Sequence, residues 1–257
     1  MISWTLPSTR QIFCWLFLIM ILSFGIGGIL LFIDSDKAKL NREESSDFRI
    51  PYDGIESVRM NLNVDTGTIN ISDGSMEHIL SGKIRADTKQ YLPRLTHVTT
   101  NKTLYASVDR HSDLLHEMIG GEEKWDIRLG NQTPMSLLIS VGTGDIHMAP
   151  GDAQISELAL ESGAGSIFLN ITAWKGKDLP IRIENGAGDI TVLFPDQSHV
   201  SVSLDRALGN LFLTGFSGDA HGYYHTTDKP DAPVIHVTIS QGLGDVTLRT
   251  ENSMKKD

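Results

Sequence analysis

Short segments with alternating apolar and polar side chains fill most of the chain after residue 57. Clear examples are Leu158-Ala159-Leu160, Ile181-Arg182-Ile183 and the run from Val234 to Ile239. Upstream, Leu104 to Val108 and Trp125 to Leu129 alternate in the same way. Runs that are short, rich in β-branched residues and two-periodic indicate half-buried β-strands. The pattern therefore predicts an all-β fold; His111 to Gly121 has only a weak helical pattern.

A glycine phrase separates these predicted strands at regular intervals. It reads Gly142-Thr-Gly-Asp-Ile in its first clear copy, and further copies begin at Gly163, Gly186 and Gly242. Degenerate copies cover 65–69 and 207–211. The second glycines at 144, 165, 188 and 209 are 21, 23 and 21 residues apart. A fixed period of this length is typical of a solenoid or a repeat array.

Each Gly-x-Gly could be a hairpin loop in an antiparallel meander or a corner between two strands of one solenoid coil. A rung of 21–23 residues with two strands and two corners favours the solenoid. We therefore predict a single sheet wrapped into a parallel β-solenoid over residues 57–249. Its end rung lies near Val246 and is covered only by a polar tail. The structural corner glycines are Gly67, Gly142, Gly144, Gly163, Gly165, Gly186, Gly188, Gly209, Gly242 and Gly244.

The repeats resemble those of a known family. Three segments carry the resemblance: Trp125-Asp-Ile-Arg-Leu, residues 135–146, which end in Val-Gly-Thr-Gly-Asp-Ile, and residues 183–192. They are similar to the repeats of the toast-rack domain family. The resemblance covers roughly residues 57–249. It implies a parallel β-solenoid in membrane-associated proteins, whose relatives include LiaF-like regulators of envelope-stress signalling and the putative-adhesin group. It does not by itself imply a function, because one fold serves many functions.

Residues 11–33 form an uncharged, strongly apolar stretch of 23 residues. This exceeds the roughly 20 residues needed to cross a bilayer core. A cleaved signal peptide would have a shorter apolar core and a small-residue cleavage site, so an uncleaved signal anchor is favoured. The predicted order is a short tail (1–10), one transmembrane helix (11–33), a juxtamembrane linker (34–56), the solenoid and a polar tail (250–257). The only cysteine, Cys14, lies within the predicted helix.

The part of the chain after the predicted helix is strongly acidic. Residues 34–257 hold all 32 acidic and 21 of the 22 basic residues, a net charge of −11. Such a charge argues against a nucleic-acid partner and against docking on anionic lipid. Large domains cross the membrane largely regardless of flanking charge, so we expect the solenoid outside the cell membrane. The chain also has Asn-x-Ser/Thr sequons at Asn70, Asn101, Asn131 and Asn170.

Candidate chemistry is sparse. Asp145, Asp189 and Asp245, with Ser166 and Asn210 between them, could form a calcium ladder on one edge of the solenoid. Alternatively each side chain caps its own corner, which the interrupted spacing favours. A metal pair of His221 and His225 has no third ligand in sequence. No catalytic or phosphate-binding motif is present. The sequence thus predicts no catalytic residue and no cofactor.

The leading hypothesis is a non-enzymatic, single-pass protein of the cell membrane with an extracytoplasmic binding or structural module of the adhesin-like kind. A protein partner or self-association is expected, because solenoids present flat faces and open end rungs. The alternative is a LiaF-like regulator that contacts a membrane sensor kinase. A carbohydrate-active enzyme is the third hypothesis, and it requires an outward cleft with clustered carboxylates.

Overall fold

The computed structural model describes residues 44–74, 76–86, 93–109, 123–219 and 222–251. These residues contain 18 β-strands and no α-helix, so the all-β prediction is confirmed. The predicted transmembrane helix (11–33) and the weak helical pattern of 111–121 lie outside the described residues. Within the described ranges, no helix is long and apolar enough to cross a membrane.

The strands follow one another along the chain with short connections. Their bounds are β1 Glu44–Pro51, β2 Ser57–Asp73, β3 His78–Ala86, β4 Arg94–Thr100, β5 Thr103–Asp109, β6 Glu123–Leu129, β7 Met135–Thr143, β8 Ile146–Ala149, β9 Ile155–Ala164, β10 Ile167–Asn170, β11 Asp178–Ala187, β12 Ile190–Phe194, β13 His199–Leu208, β14 Leu211–Thr214, β15 Ser217–Asp219, β16 Gly222–His225, β17 Val234–Leu243 and β18 Val246–Thr250.

All 18 strands belong to one hydrogen-bonded sheet that folds into two layers. In each glycine rung, the strand before the corner belongs to layer 1 and the strand after the corner belongs to layer 2. In layer 1 the order is β4, β5, the first half of β2, β7, β9, β11, β17, β13, β16 and β15. In layer 2 the order is β1, β3, β6, the second half of β2, β8, β10, β12, β18 and β14.

Pairing between successive rungs is parallel through the middle of the stack. Rows of like residues therefore cross both layers, for example Ile69, Ile146, Ile167, Ile190 and Val246, which are all buried. Antiparallel strands occur only near the two ends, where β1, β3 and β4 flank one side and β15 and β16 flank the other. The β4–β5 hairpin turns at Asn101 and Lys102, both with positive φ.

The order of rungs in space differs from their order along the chain. The rung of β17 and β18 lies between that of β11 and β12 and that of β13 and β14. The prediction that the end rung lies near Val246 is therefore wrong. Val246 lies in the interior of the stack, and β13 and β14 form the end rung. At the other end β2 is likewise interior, because β5 and β6 pair with its outer edge.

The first strand corrects the predicted linker. Residues 44–51, which fall within the segment 34–56, form β1 and pair antiparallel with β3. Ile50 is buried against the core, which explains why this charged stretch is held in the sheet. At the far boundary Thr250 is buried as the last residue of β18, so it belongs to the sheet and not to the predicted tail.

Candidate binding surfaces

The glycine corners stack into a continuous column. A Cβ on Gly144 would lie 1.9 Å from the carbonyl oxygen of Gly67, and one on Gly165 would lie 2.0 Å from that of Gly144. Gly188, Gly244 and Gly209 continue the column in that order. Each of these glycines has a φ between 126° and 155°, a region that side chains rarely adopt. Glycine is needed here for both backbone angle and close approach.

The first glycines of the phrases form a second, parallel column. Gly142, Gly163, Gly186 and Gly242 each face the carbonyl oxygen of the preceding rung, at 2.3 to 2.6 Å from a Cβ. Above this column the outer surface of layer 1 has a shallow trough of about 620 Å³. Glu161 and Glu184 border the trough, so its edges are acidic.

The aspartates after the corners accept hydrogen bonds from backbone amides of the adjoining rung. Asp145 Oδ1 accepts from the amide of Ser166 at 2.7 Å, and Asp189 Oδ1 accepts from that of Asp245 at 2.9 Å. Asp245 Oδ1 accepts from the amide and the side-chain nitrogen of Asn210. This geometry is a form of corner capping, but each carboxylate satisfies an amide at the corner of the adjoining rung and not, as predicted, at its own corner.

The spatial order of these side chains differs from the sequence order. Asn210 lies beyond Asp245, so Asp189 and Asp245 are direct neighbours, and only Ser166 interrupts the carboxylates. Nevertheless, within the described ranges no three histidine, cysteine or acidic side chains lie close enough to hold a metal ion. His225 hydrogen-bonds to the carbonyl oxygens of Gly215 and Asp196, and His221 lies outside the described residues.

A row of buried polar side chains behind the corners was missed by sequence reasoning. Ser162, Asn185 and Gln241 each precede a first glycine and point inward. Asn185 Nδ2 donates to the carbonyl oxygens of Gly165 and Gly188, and Gln241 Nε2 donates to those of Gly188 and Leu243. They supply donors to the carbonyl groups of the stacked corner glycines. The sequence signal was a polar residue at an inward position just before the phrase.

The outward faces of the two layers carry opposite charge. We call the outward side of layer 1 the acidic face; in the spatial order of the layer from β2 to β13, its outward strand positions hold six acidic and two basic residues: Asp65, Glu157, Glu161, Asp178, Glu184, Asp205, Arg59 and Arg182. We call the outward side of layer 2 the basic face; its outward strand positions hold six basic and two acidic residues: Arg49, Lys83, Arg85, Lys124, Arg128, Arg249, Asp47 and Asp126.

The end rung of β13 and β14 leaves part of the core open. Leu204, Leu211 and Leu213 continue buried rows of the interior, yet they are only partly buried. At the corner of this rung, Leu208 and its neighbour Leu243 are 66% and 51% exposed. On the layer 2 side, β14 pairs only with β18 among the described strands, so its other edge has open backbone groups.

Comparison with known proteins places this fold. Residues 38–193 match the family model Toast_rack_N, described as the N-terminal domain of toast_rack, DUF2154. The chain belongs to the toast-rack family. The resemblance noted in the repeats is therefore confirmed, and the match includes β1 as well as the glycine rungs up to β12. A search of curated proteins finds no match.

Solved structures similar to this toast-rack chain include a putative cell adhesion protein from Clostridium sporogenes ATCC 15579. It is 21% identical, with a TM-score of 0.73, over 82% of this chain and 100% of that one. A putative adhesin from Bacteroides fragilis NCTC 9343 is 10% identical over 80% and 97% of the two chains, with a TM-score of 0.25. The first likeness shows a shared fold; the second is too low to carry an argument.

Proposed function

We propose that this toast-rack protein is a non-enzymatic, membrane-anchored module of the cell surface that binds another protein in an adhesin-like or structural role. The observation that carries the proposal is the open end rung, where exposed Leu208 and Leu243 adjoin an unpaired strand edge. Monomeric proteins usually blunt such edges, so an open one favours a partner that continues the sheet. The expected partner is a second copy of the chain.

Further support comes from the form of the surfaces. The conspicuous aspartates serve corner amides, and the trough on the acidic face is shallow. The third hypothesis required an outward cleft with clustered carboxylates. On the acidic face only Glu161 and Glu184 line the shallow trough, and Arg182 forms an ion pair with Glu184. Membrane anchoring through residues 11–33 and an extracytoplasmic solenoid belong to the same proposal.

The test is site-specific photocrosslinking of the full-length protein in its native membrane. Benzoylphenylalanine replaces Leu208 at the open end or Tyr105 at the opposite end, where the side chain is 46% exposed. We expect a crosslinked dimer from the Leu208 position and none from the Tyr105 position. Equal dimer yields at both positions, or no adduct at Leu208, would overturn the proposal. A histidine kinase as the Leu208 adduct would favour the regulator.

A further inference from the structure

The basic side chains of the basic face are concentrated at one end. Arg49, Lys83, Arg85, Lys124 and Arg128 lie on the adjoining strands β1, β3 and β6. Arg85 forms an ion pair with Asp126, whereas the other four form no ion pair within the described ranges. Arg49, Lys83, Lys124 and Arg128 are exposed. A concentration of unpaired cations is unexpected on a domain whose net charge is strongly negative.

Two of these arginines flank a serine in one row across the sheet. Arg49 on β1 is opposite Ser81 on β3, and Ser81 is opposite Arg128 on β6. Adjacent strands are about 4.8 Å apart, so the two guanidinium groups can reach an anion placed over Ser81. A shallow hollow of about 440 Å³ covers this row, and Lys83, Asp47 and Asp126 also line it. Asp126 already accepts hydrogen bonds from Arg85 and Asn70. Guanidinium and hydroxyl donors around one hollow suit a phosphate group.

The remainder of the basic face is free of acidic strand positions. From β8 to β14 its outward residues include Phe168 and Phe212, and Phe212 is 50% exposed. The other outward positions there are His147, Ala149, Asn170, Thr191, Leu193, Thr214, Thr247 and Arg249. A flat surface with cations at one end and aromatic rings beyond fits the headgroup region of a bilayer, which takes up both.

The predicted anchor and this face are close along the chain. Only ten residues, 34–43, separate the predicted membrane helix from the start of β1. A fully extended segment of that length spans about 35 Å. Strand β1, which carries Arg49, is thus the described strand that follows the predicted anchor most closely in sequence.

We propose that the basic face docks on the anionic lipid headgroups of the membrane in which the chain is anchored, with a lipid phosphate seated between Arg49 and Arg128. This proposal rests on the membrane anchor of the proposed function. It reverses the expectation drawn from net charge, because the outward strand positions of this face hold six basic and only two acidic residues. Docking leaves the acidic face directed away from the membrane.

A second copy is a weaker candidate for the occupant. Its acidic face complements the charge, but apart from Asp65 on β2 those carboxylates lie on β9, β11 and β13, several rungs away from the level of β1, β3 and β6. Contact between the two charged regions would require neighbouring copies to be displaced along the stack by several strand spacings. Copies anchored in one membrane at the same end cannot easily be displaced in that way.

The test measures how fast a hydrophilic maleimide labels Ser81→Cys in the full-length protein with Cys14→Ser. The protein is reconstituted in nanodiscs of phosphatidylcholine alone or of phosphatidylcholine with phosphatidylglycerol. We expect anionic lipid to slow labelling about fivefold or more, since each basic residue near an anionic surface contributes about that factor. High salt should restore the fast rate. Labelling of Asn61→Cys, on the acidic face at the same end, should not change.

Matched charge variants complete the test. Arg49→Gln with Arg128→Gln should abolish the slowing, whereas Arg59→Gln with Arg182→Gln, on the acidic face, should retain it. Equal labelling rates at Ser81 in the two lipids would overturn the docking proposal, as would slowing that depends on the number of copies per disc. Failure of the protein to remain with neutral nanodiscs during flotation would instead contradict the membrane anchor, so the two failures are distinguishable.

Discussion

At the scale of single residues, the corner column is set by backbone chemistry that the sequence displays openly. A Gly-x-Gly phrase repeated at near-constant spacing marks positions where no side chain fits, and the structure stacks those positions carbonyl on Cα. The polar row of Ser162, Asn185 and Gln241 was harder to find. They occupy inward strand positions, as the core residues do. Their role is to hydrogen-bond the stacked carbonyl groups of neighbouring rungs, which are brought together only in the folded structure.

The first prediction compares two glycines with positive φ. Gly165→Ala places a methyl group 2.0 Å from the Gly144 carbonyl oxygen, whereas Gly54 has nothing within 4 Å. We expect Gly165→Ala to lower the free energy of unfolding by about 3 kcal/mol or more, because it adds a clash with backbone to conformational strain. Gly54→Ala should cost about 1 kcal/mol from strain alone.

Urea denaturation followed by the fluorescence of the buried Trp125 and Trp174 would measure both changes. Equal losses for the two variants would contradict the account of the glycine column as a close-contact ladder.

The second prediction separates capping from calcium binding at Asp189. Asp189→Asn retains a side-chain oxygen that can accept from the amide of Asp245, so its stability should remain within about 0.5 kcal/mol of wild type. Asp189→Ala should lower the free energy of unfolding by about 1 kcal/mol, because the Asp245 amide loses its acceptor.

Thermal denaturation with calcium and with a chelator provides the control. We expect the same Tm in both. A calcium-dependent rise in Tm that Asp189→Asn removes would instead support the calcium ladder.

At the scale of elements, the periodic strands were predictable and the irregular ones were not. Alternation and β-branched residues identify the strands from β7 to β14, since each repeat restates the same pattern. The sequence predicts a linker at the first strand because Glu44, Asp47 and Arg49 give the segment a charged composition without a clear period. The strand forms because it has a partner. Strand β3 pairs with β1 along its length, and Ile50 of β1 is buried in the core. Pairing of that kind is not visible in a local pattern.

The third prediction tests this strand. Ile50→Ala should lower the free energy of unfolding by about 2 to 3 kcal/mol, the usual cost of truncating a buried isoleucine. The matched control is Asp53→Ala, three residues further on at an exposed position, which should change stability by less than about 0.5 kcal/mol. Equilibrium denaturation measures both variants. A negligible effect of Ile50→Ala would show that residues 44–51 act as a linker after all.

At the scale of the whole molecule, rung order and face charge were both beyond local reasoning. Repeats with similar sequences can stack in any order. The sequence signal that the last two rungs are exchanged in space is the interval of 35 residues from Gly209 to Gly244. The long connection between β14 and β17 provides the length to pass over one rung. Net charge is likewise an average, and it conceals that basic residues outnumber acidic ones at the outward strand positions of layer 2.

The fourth prediction concerns the rung order. Amides of β18, which has partners on both sides, should exchange with deuterium much more slowly than those of β14, which has one partner. Hydrogen exchange followed by mass spectrometry resolves peptides that cover 211–214 and 246–250. Peptides from β12, also enclosed on both sides, serve as the internal reference. Faster exchange in β18 than in β14 would restore the sequential order of rungs.

The interleaved rungs also bear on biosynthesis. Strands β13 and β14 leave the ribosome before β17 and β18, yet in the finished sheet their parallel partners are those later strands. When translation has reached residue 214, the strands that pair in parallel with β13 and β14 have therefore not yet been synthesised. The C-terminal half can close only when residues 234–250 have emerged and entered the stack. Incomplete translation products would thus expose sheet edges and become recognisable to quality-control proteases.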